Sequence, residues 1–175
     1  LGDVYKRQKY EITVKANSAT ATYDGKEHEA VGVETYEFTV EGNSYTVSGL
    51  STEDPKQKDA GSYTNNITGT PVVTDKEGNV VTSEFEVKTE NGSLEIGKAA
   101  VTLKSATLSK KYDGNALVNG DTALEIESGF AEGEGATYNF TGSQTVVGSS
   151  ANAFSYELNG NTNIDNYEIS KQEGT

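Results

Sequence analysis

Cysteine is absent from the 175-residue chain, which rules out a disulfide, a thiolate nucleophile or a thiolate metal site and allows folding in either redox compartment. Positive charge is scarce: 14 Lys and Arg stand against 27 Asp and Glu, a formal net charge of −13. Phosphate backbones and anionic membrane surfaces need clustered cations, so nucleic acid is excluded as a partner and no membrane contact is expected from this segment. No apolar run approaches a membrane span, and neither a signal peptide nor a sorting signal is visible, so export would rely on other segments. Only two prolines occur, and no apolar window recurs at helical spacing, so almost no helix is expected.

What is present is a series of short alternating runs rich in Val, Ile, Thr, Tyr and Phe, the residue types that suit a pleated, half-buried surface. Strands are expected near residues 10–16, 36–40, 44–48, 62–68, 80–88 and 93–96. A second group is expected near 101–107, 122–127, 136–141, 153–158 and 167–170. In the run from Val80, Val81, Ser83, Phe85 and Val87 share one face, which places Phe85 and Val87 in the core.

The two groups are copies of one another. Ile12 to Gly25 aligns without gaps on Val101 to Gly114, a displacement of 89 (101 less 12), with Thr13/Thr102, Lys15/Lys104, Tyr23/Tyr112, Asp24/Asp113 and Gly25/Gly114 identical. Farther on, Phe85 through Ser93 matches Tyr167 through Thr175 at a displacement of 82 (167 less 85), so the second copy is seven residues shorter in between. A hairpin around Asp75 to Asn79, flanked by Val72-Val73 and Val80-Val81, is the expected place of the difference. Repetition of this period points to an array.

The expected fold is therefore all-β: two tandem small antiparallel β-sandwich modules of Ig-like type, with β-grasp-like modules as the alternative. Residues 1–8 read as translated adapter sequence, a non-native leader; residues 9–98 form the first module and 99–175 the second. Gly97 to Ala100 joins the copies with no Pro-rich or Ser-rich linker, so stiff coupling is expected. Gly174-Thr175 corresponds to Gly92-Ser93, after which copy one continues into Leu94-Glu95-Ile96. The second module is thus expected to lack its last strand, leaving an open edge that an added Leu-x-Ile strand would stabilise.

The chain resembles the YDG and MBG-type tandem repeats of Gram-positive cell-surface proteins, such as those of gut Firmicutes. The resemblance rests on Thr22-Tyr23-Asp24-Gly25, Lys111-Tyr112-Asp113-Gly114, Asp59-Ala60-Gly61-Ser62-Tyr63-Thr64 and the aromatic strand leading to Gly92-Ser93-Leu94-Glu95-Ile96. It implies an extracellular, secreted or cell-wall-attached protein, neighbouring repeats as partners, a stalk or adhesion role in an adhesin, and no catalytic residues.

The chemistry-bearing residues are read against that expectation. Asp24-Gly25 and Asp113-Gly114 are turn formers, and Tyr63 after Gly61 is placed to form a tyrosine corner. His28, the only histidine, stands in the polar stretch Lys26 to Glu29 with no nucleophile-elbow serine to serve. Asn159, Asn161, Asn163 and Asp165 alternate like the ligands of a calcium loop, but Ile164 stands where Gly is needed and Ser170 where a bidentate Glu is needed; an Asn-rich turn is expected instead. Glu132-Gly133-Glu134-Gly135 is acidic, would repel phosphate, and reads as a surface loop. Lys15 and Lys104 are the charged pair at equivalent strand positions, where a Lys–Asn isopeptide crosslink would also need a buried Asn and an adjacent acid. No catalytic, cofactor-binding or metal site, and so no enzyme, is expected. The alternative function is binding of host glycan or mucin through the ten tyrosines with Asn and Thr, weakened by the lack of Trp.

Overall fold

The computed structural model describes residues 8–121 and 123–175; the leader up to residue 7 and Thr122, the first residue of one expected strand, lie outside the described residues. The chain is all-β, with no α-helix among the described residues. It divides into two compact units, one of Leu1–Ala21, Glu27–Gln57 and Gly61–Ile96, the other of Thr22–Lys26, Lys58–Ala60 and Gly97–Thr175.

The first unit opens with β1 (Tyr10–Lys15), in which Ile12 and Val14 point inward while Glu11 and Lys15 stay exposed. A short β2 (Ala19–Thr22) and β3 (His28–Glu29) follow. Next come β4 (Glu37–Val40) and β5 (Asn43–Thr52), then β6 (Lys56–Gln57), β7 (Gly61–Asn65) and β8 (Ile67–Asp75). The unit closes with β9 (Phe85–Glu90) and β10 (Gly92–Gly97). β4, β5 and β8 form an antiparallel sheet, β3 pairs with β6, and β10 lies between β2 and β7. Ile12, Val14, Val47, Val73 and Phe85 make one core, with Val87 half-buried against it. A bulge between Ser48 and Leu50 brings Gly49 and Gly69 face to face, both at positive φ, and a side-chain carbon on either would run into the opposite backbone.

The wholly antiparallel pairing expected from the sequence is corrected by β1, which pairs with β9 in parallel from Tyr10↔Phe85 to Lys15↔Glu90. Alternation fixes which face of a strand is buried but says nothing of its partner's direction. The expected strand from residue 80 is also shorter than its pattern suggests: Thr82–Glu84 form a 3₁₀ turn, because the Thr82 hydroxyl accepts the Val73 amide at 3.0 Å and draws the chain off the ladder. The expected strand 62–68 is in fact the end of β7 and the start of β8, separated at Asn66.

The second unit centres on β11 (Ala99–Lys104), flanked by β13 (Ile126–Ser128) in antiparallel and β17 (Tyr167–Gln172) in parallel. Between them run β12 (Leu117–Val118), β14 (Ala136–Phe140), β15 (Ser143–Gln144) and β16 (Phe154–Leu158). β14 pairs with β16 and β12 with β15. Ala99, Val101, Leu103, Phe154, Tyr167 and Tyr23 are its buried hydrophobic residues.

Candidate interaction surface

Both units tie their strands together with a buried asparagine. In the first, Asn65, fully buried at the end of β7, donates from Nδ2 to the Asn17 carbonyl at 3.1 Å. In the second, Asn152 donates from Nδ2 to the Ala106 carbonyl at 2.9 Å. Ala106 is the repeat equivalent of Asn17 (17 plus 89), so Gly148-Ser149-Ser150-Ala151-Asn152 corresponds to Gly61-Ser62-Tyr63-Thr64-Asn65. The Gly-Ser-x-x-Asn spacing was the signal in the sequence, hidden because only one of the three residues between the shared Gly and Asn, the Ser, is the same in both.

Gly92 and Gly174 occupy equivalent places too, since a Cβ on Gly92 would overlap the carbonyls of Asn17 and Ala16, and one on Gly174 those of Ala106 and Ser105. Ser93 donates its amide to Ser18 Oγ at 3.0 Å, and Thr175 donates its amide to Thr107 Oγ1 at 3.3 Å. Buried Ser105 fastens the same corner, donating to the Asn152 carbonyl at 2.7 Å and accepting from the Gly174 amide at 3.0 Å.

Past this shared corner the two units diverge. In the first, Leu94 and Ile96 of β10 are 0% and 3% exposed, sandwiched between β2 and β7. In the second, a groove of about 560 Å³ runs between Thr107 to Tyr112 and Gln144 to Ser150, with Thr175 at one end. Its margins expose apolar surface: Tyr112 is 66% exposed, Val146 69% and Val147 85%. An exposed apolar concavity of this kind is a candidate interaction surface.

The two Tyr-Asp-Gly turns share a backbone and differ in surroundings. Asp24 Oδ1 accepts the Lys26 amide and Asp113 Oδ1 the Asn115 amide, both at 2.9 Å, with Gly25 and Gly114 at φ of 77° and 80°. Within the second unit, Tyr23 stacks edge-on against Tyr167 with centroids 5.3 Å apart and donates its hydroxyl to Glu134 Oε2 at 2.7 Å. Burial, then the hydrogen bond to Glu134, pushes the Tyr23 phenol well above its ordinary value. Glu134, read from sequence as part of a surface loop, therefore has a structural partner. Tyr112 and Asp113 instead stand exposed, with Asp113 bound to Lys110 at 2.8 Å, an ion pair that holds its carboxyl below the usual range.

The other candidate residues are built into the scaffold. Asn161 donates to the Gly133 carbonyl at 2.8 Å, and Asn163 accepts the Asp165 amide at 2.9 Å to cap the 3₁₀ turn Ile164–Asn166, so this stretch pins a loop. Asn166 is buried, donating to Asp59 Oδ1 at 3.0 Å and accepting the Ala60 amide at 2.8 Å. His28 sits half-buried in β3 opposite Gln57, and Tyr63 folds its hydroxyl over Gly61. Lys15 faces Glu90 at 3.7 Å and Lys104 faces Glu125 at 3.2 Å, with the lysine side chains 51% and 36% exposed rather than in the buried setting an isopeptide bond requires. Among the described residues no group of three or more His, Asp or Glu is arranged to hold a metal. No helix of the described residues is long and apolar enough to cross a membrane. No protein family, curated protein or solved structure matches the chain.

Proposed function

We propose that the chain is a non-enzymatic structural repeat of an extracellular bacterial cell-surface protein, its two β modules serving as stalk or adhesion elements that project an adhesin. The observation that carries this reading is what the two copies have in common: the turn at Asp24 and Asp113, the buried Asn65 and Asn152, and the parallel closing pairs of β1 with β9 and β11 with β17. Each of these builds architecture, and duplication of architecture serves extension and load. Of the two module types, the β-grasp-like one is favoured, since a wholly antiparallel sandwich has no place for a parallel pair between first and late strands.

The parallel pairs bear on the test. A chain pulled by its two ends loads the β11–β17 ladder, Ala99↔Tyr167 to Lys104↔Gln172, in shear, so that its hydrogen bonds resist together rather than one by one. Force spectroscopy on the end-tethered chain is expected to give discrete unfolding events at forces well above those that unzip a hairpin. Gradual extension at low force would sink the stalk reading. Glycan or mucin binding is the second reading, favoured by the exposed Tyr112 ring beside a groove with Ser and Thr on its walls. A glycan array with signal only at background would remove it.

A further inference from the structure

We infer that Asn159 is a site of spontaneous covalent modification, at which the Gly160 amide closes a cyclic imide that water opens to aspartate or isoaspartate. Asn-Gly is the dipeptide suited to this chemistry, because glycine has no Cβ to keep its amide nitrogen away from the neighbouring side-chain carbonyl. The pair occurs three times, as Asn91-Gly92, Asn119-Gly120 and Asn159-Gly160. The fold separates them. Asn91 accepts the Ile67 amide on Oδ1 at 2.9 Å, and Gly92 is buried in β10 opposite Asn65. Asn119 accepts Asn152 Nδ2 on Oδ1 at 3.1 Å and donates from Nδ2 to the Asp121 carbonyl at 2.7 Å, so its side-chain amide is held on both atoms. Asn159 and Gly160 are both exposed in the turn after β16, and among the described residues no hydrogen bond restrains the Asn159 side chain or the Gly160 amide. Ring closure requires the peptide between Asn159 and Gly160 to rotate, which breaks one hydrogen bond, from the Thr162 amide to the Asn159 carbonyl at 2.9 Å. The same motion at Asn91 requires β10 to leave its ladder.

The reaction consumes only water. The Gly160 nitrogen bonds to Asn159 Cγ as the bond from Cγ to Nδ2 breaks, and the Gly160 amide proton leaves with Nδ2 as ammonia. Water then opens the ring. Opening at the former side-chain carbonyl leaves aspartate in an unaltered main chain. Opening at the former main-chain carbonyl leaves isoaspartate, whose chain runs on through the side chain and is longer by a carbon. Both products add a negative charge, but isoaspartate also moves the main chain. The Asn159 amide donates to the Gly135 carbonyl at 2.9 Å, the Gly135 amide to Thr162 Oγ1 at 2.9 Å, and Asn161 to the Gly133 carbonyl at 2.8 Å. These bonds hold the segment that carries Glu134, the acceptor of the Tyr23 hydroxyl. A longer main chain at 159 shifts their register, so the modification acts on the loop that anchors the first Tyr-Asp-Gly turn.

The test is incubation of the full folded chain in mildly alkaline buffer, beside a sample in urea, with peptide mapping by mass spectrometry. Conversion, read as a gain of about one dalton, is expected in the folded chain at Asn159, with Asn91 and Asn119 at least about tenfold slower. In urea the three sites should convert at similar rates, since the fold that separates them is gone. Gly160→Ala, at a position with open space for a Cβ, should leave the fold intact and slow conversion at Asn159 by at least about tenfold. NMR of the converted, ¹⁵N-labelled chain should show new amide positions at Gly133 to Gly135 and at Thr162. The Asn159→Asp variant, which has the charge with the unaltered main chain, should keep those amides near the parent's positions. The inference is overturned if Asn159 stays intact in the folded chain, if Asn91 or Asn119 converts there as fast, or if Gly160→Ala converts at the parent's rate. Equal shifts in Asn159→Asp would overturn the role given to isoaspartate.

Discussion

The two units share a scaffold and differ in how completely they cover it. Among the described residues the first buries the large hydrophobic residues Ile12, Val14, Val47, Val73, Phe85, Leu94 and Ile96, whereas the second buries Val101, Leu103, Phe154, Tyr167 and Tyr23. Where the first has β10, the second has a groove edged by exposed valines. The corner at Gly92 or Gly174 is the same in both, so this corner of the scaffold is specified independently of the strand that follows it.

That contrast can be abolished from the first unit's side. Leu94→Ala removes a fully buried side chain from β10 and is expected to cost about 2 to 5 kcal/mol, the usual range for a large-to-small change in a core. Hydrogen exchange resolved by residue should show the loss at Ile12, Val14 and Phe85 while Val101 and Leu103 keep their protection. Equal loss at both sets would mean that the units do not fold as separate cores.

The reverse change makes the second unit resemble the first. Extending the chain after Thr175 by a copy of Leu94 to Lys98 is expected to raise the urea midpoint of the second unit. Each buried aliphatic contributes about 1.5 to 3 kcal/mol, offset by about 1 to 2 kcal/mol for each residue ordered, so the net gain is smaller than that of the substitution above. An unchanged midpoint would show that the groove beside Thr175 does not accept the added strand.

The smallest expected effect concerns alkali. Tyr23, Tyr138 and Tyr167 of the second unit all have phenols raised, chiefly by burial, so the folded state holds these protons more tightly than the unfolded chain. Their contribution is complete below the ordinary phenol value of about 10 and is lost as pH climbs from there through the folded-state values. In the first unit the raised phenol is that of Tyr10, an exposed group held by its hydrogen bond to Glu41, so the second unit, with three raised chiefly by burial, should lose stability above pH 10 before the first. Tyr23→Phe should flatten part of that loss in alkaline melts, at a cost of about 1 kcal/mol at neutral pH from leaving Glu134 without its donor. A melt profile identical to the parent's above pH 10 would show that Tyr23 does not carry the linkage.

Much of the fold is legible in the residues. Alternation locates β1, β4, β14, β16 and β17 to within a residue or two, β11 to within three and β9 by its N-terminal part, and Asp-Gly marks both turns. What escapes is whatever depends on distant partners. Nothing local tells Phe85 that Tyr10 runs alongside it in the same direction, and the very short β3, β6, β12 and β15 have too few residues to show a period. At the candidate surface the same division holds. Alignment of Gly174-Thr175 with Gly92-Ser93 marks where the groove begins, because it rests on adjacent residues. The contrast between buried Tyr23 and exposed Tyr112 is invisible in two nearly identical motifs, since it lies in Glu134 and Tyr167, more than a hundred residues from Tyr23.

The parallel closing pairs also govern when each unit can form. Tyr10 must meet Phe85, 75 residues later, and Ala99 must meet Tyr167, 68 residues later (85 less 10, 167 less 99). Such high contact order means that the entropy of closing a long loop is spent before β1 or β11 gains its parallel partner, which slows folding to the millisecond-to-second range typical of β proteins, roughly. While the chain is being synthesised, β1 and β11 wait with one ladder unmade, and each unit stays open to threading through a narrow passage until nearly all of its residues have emerged.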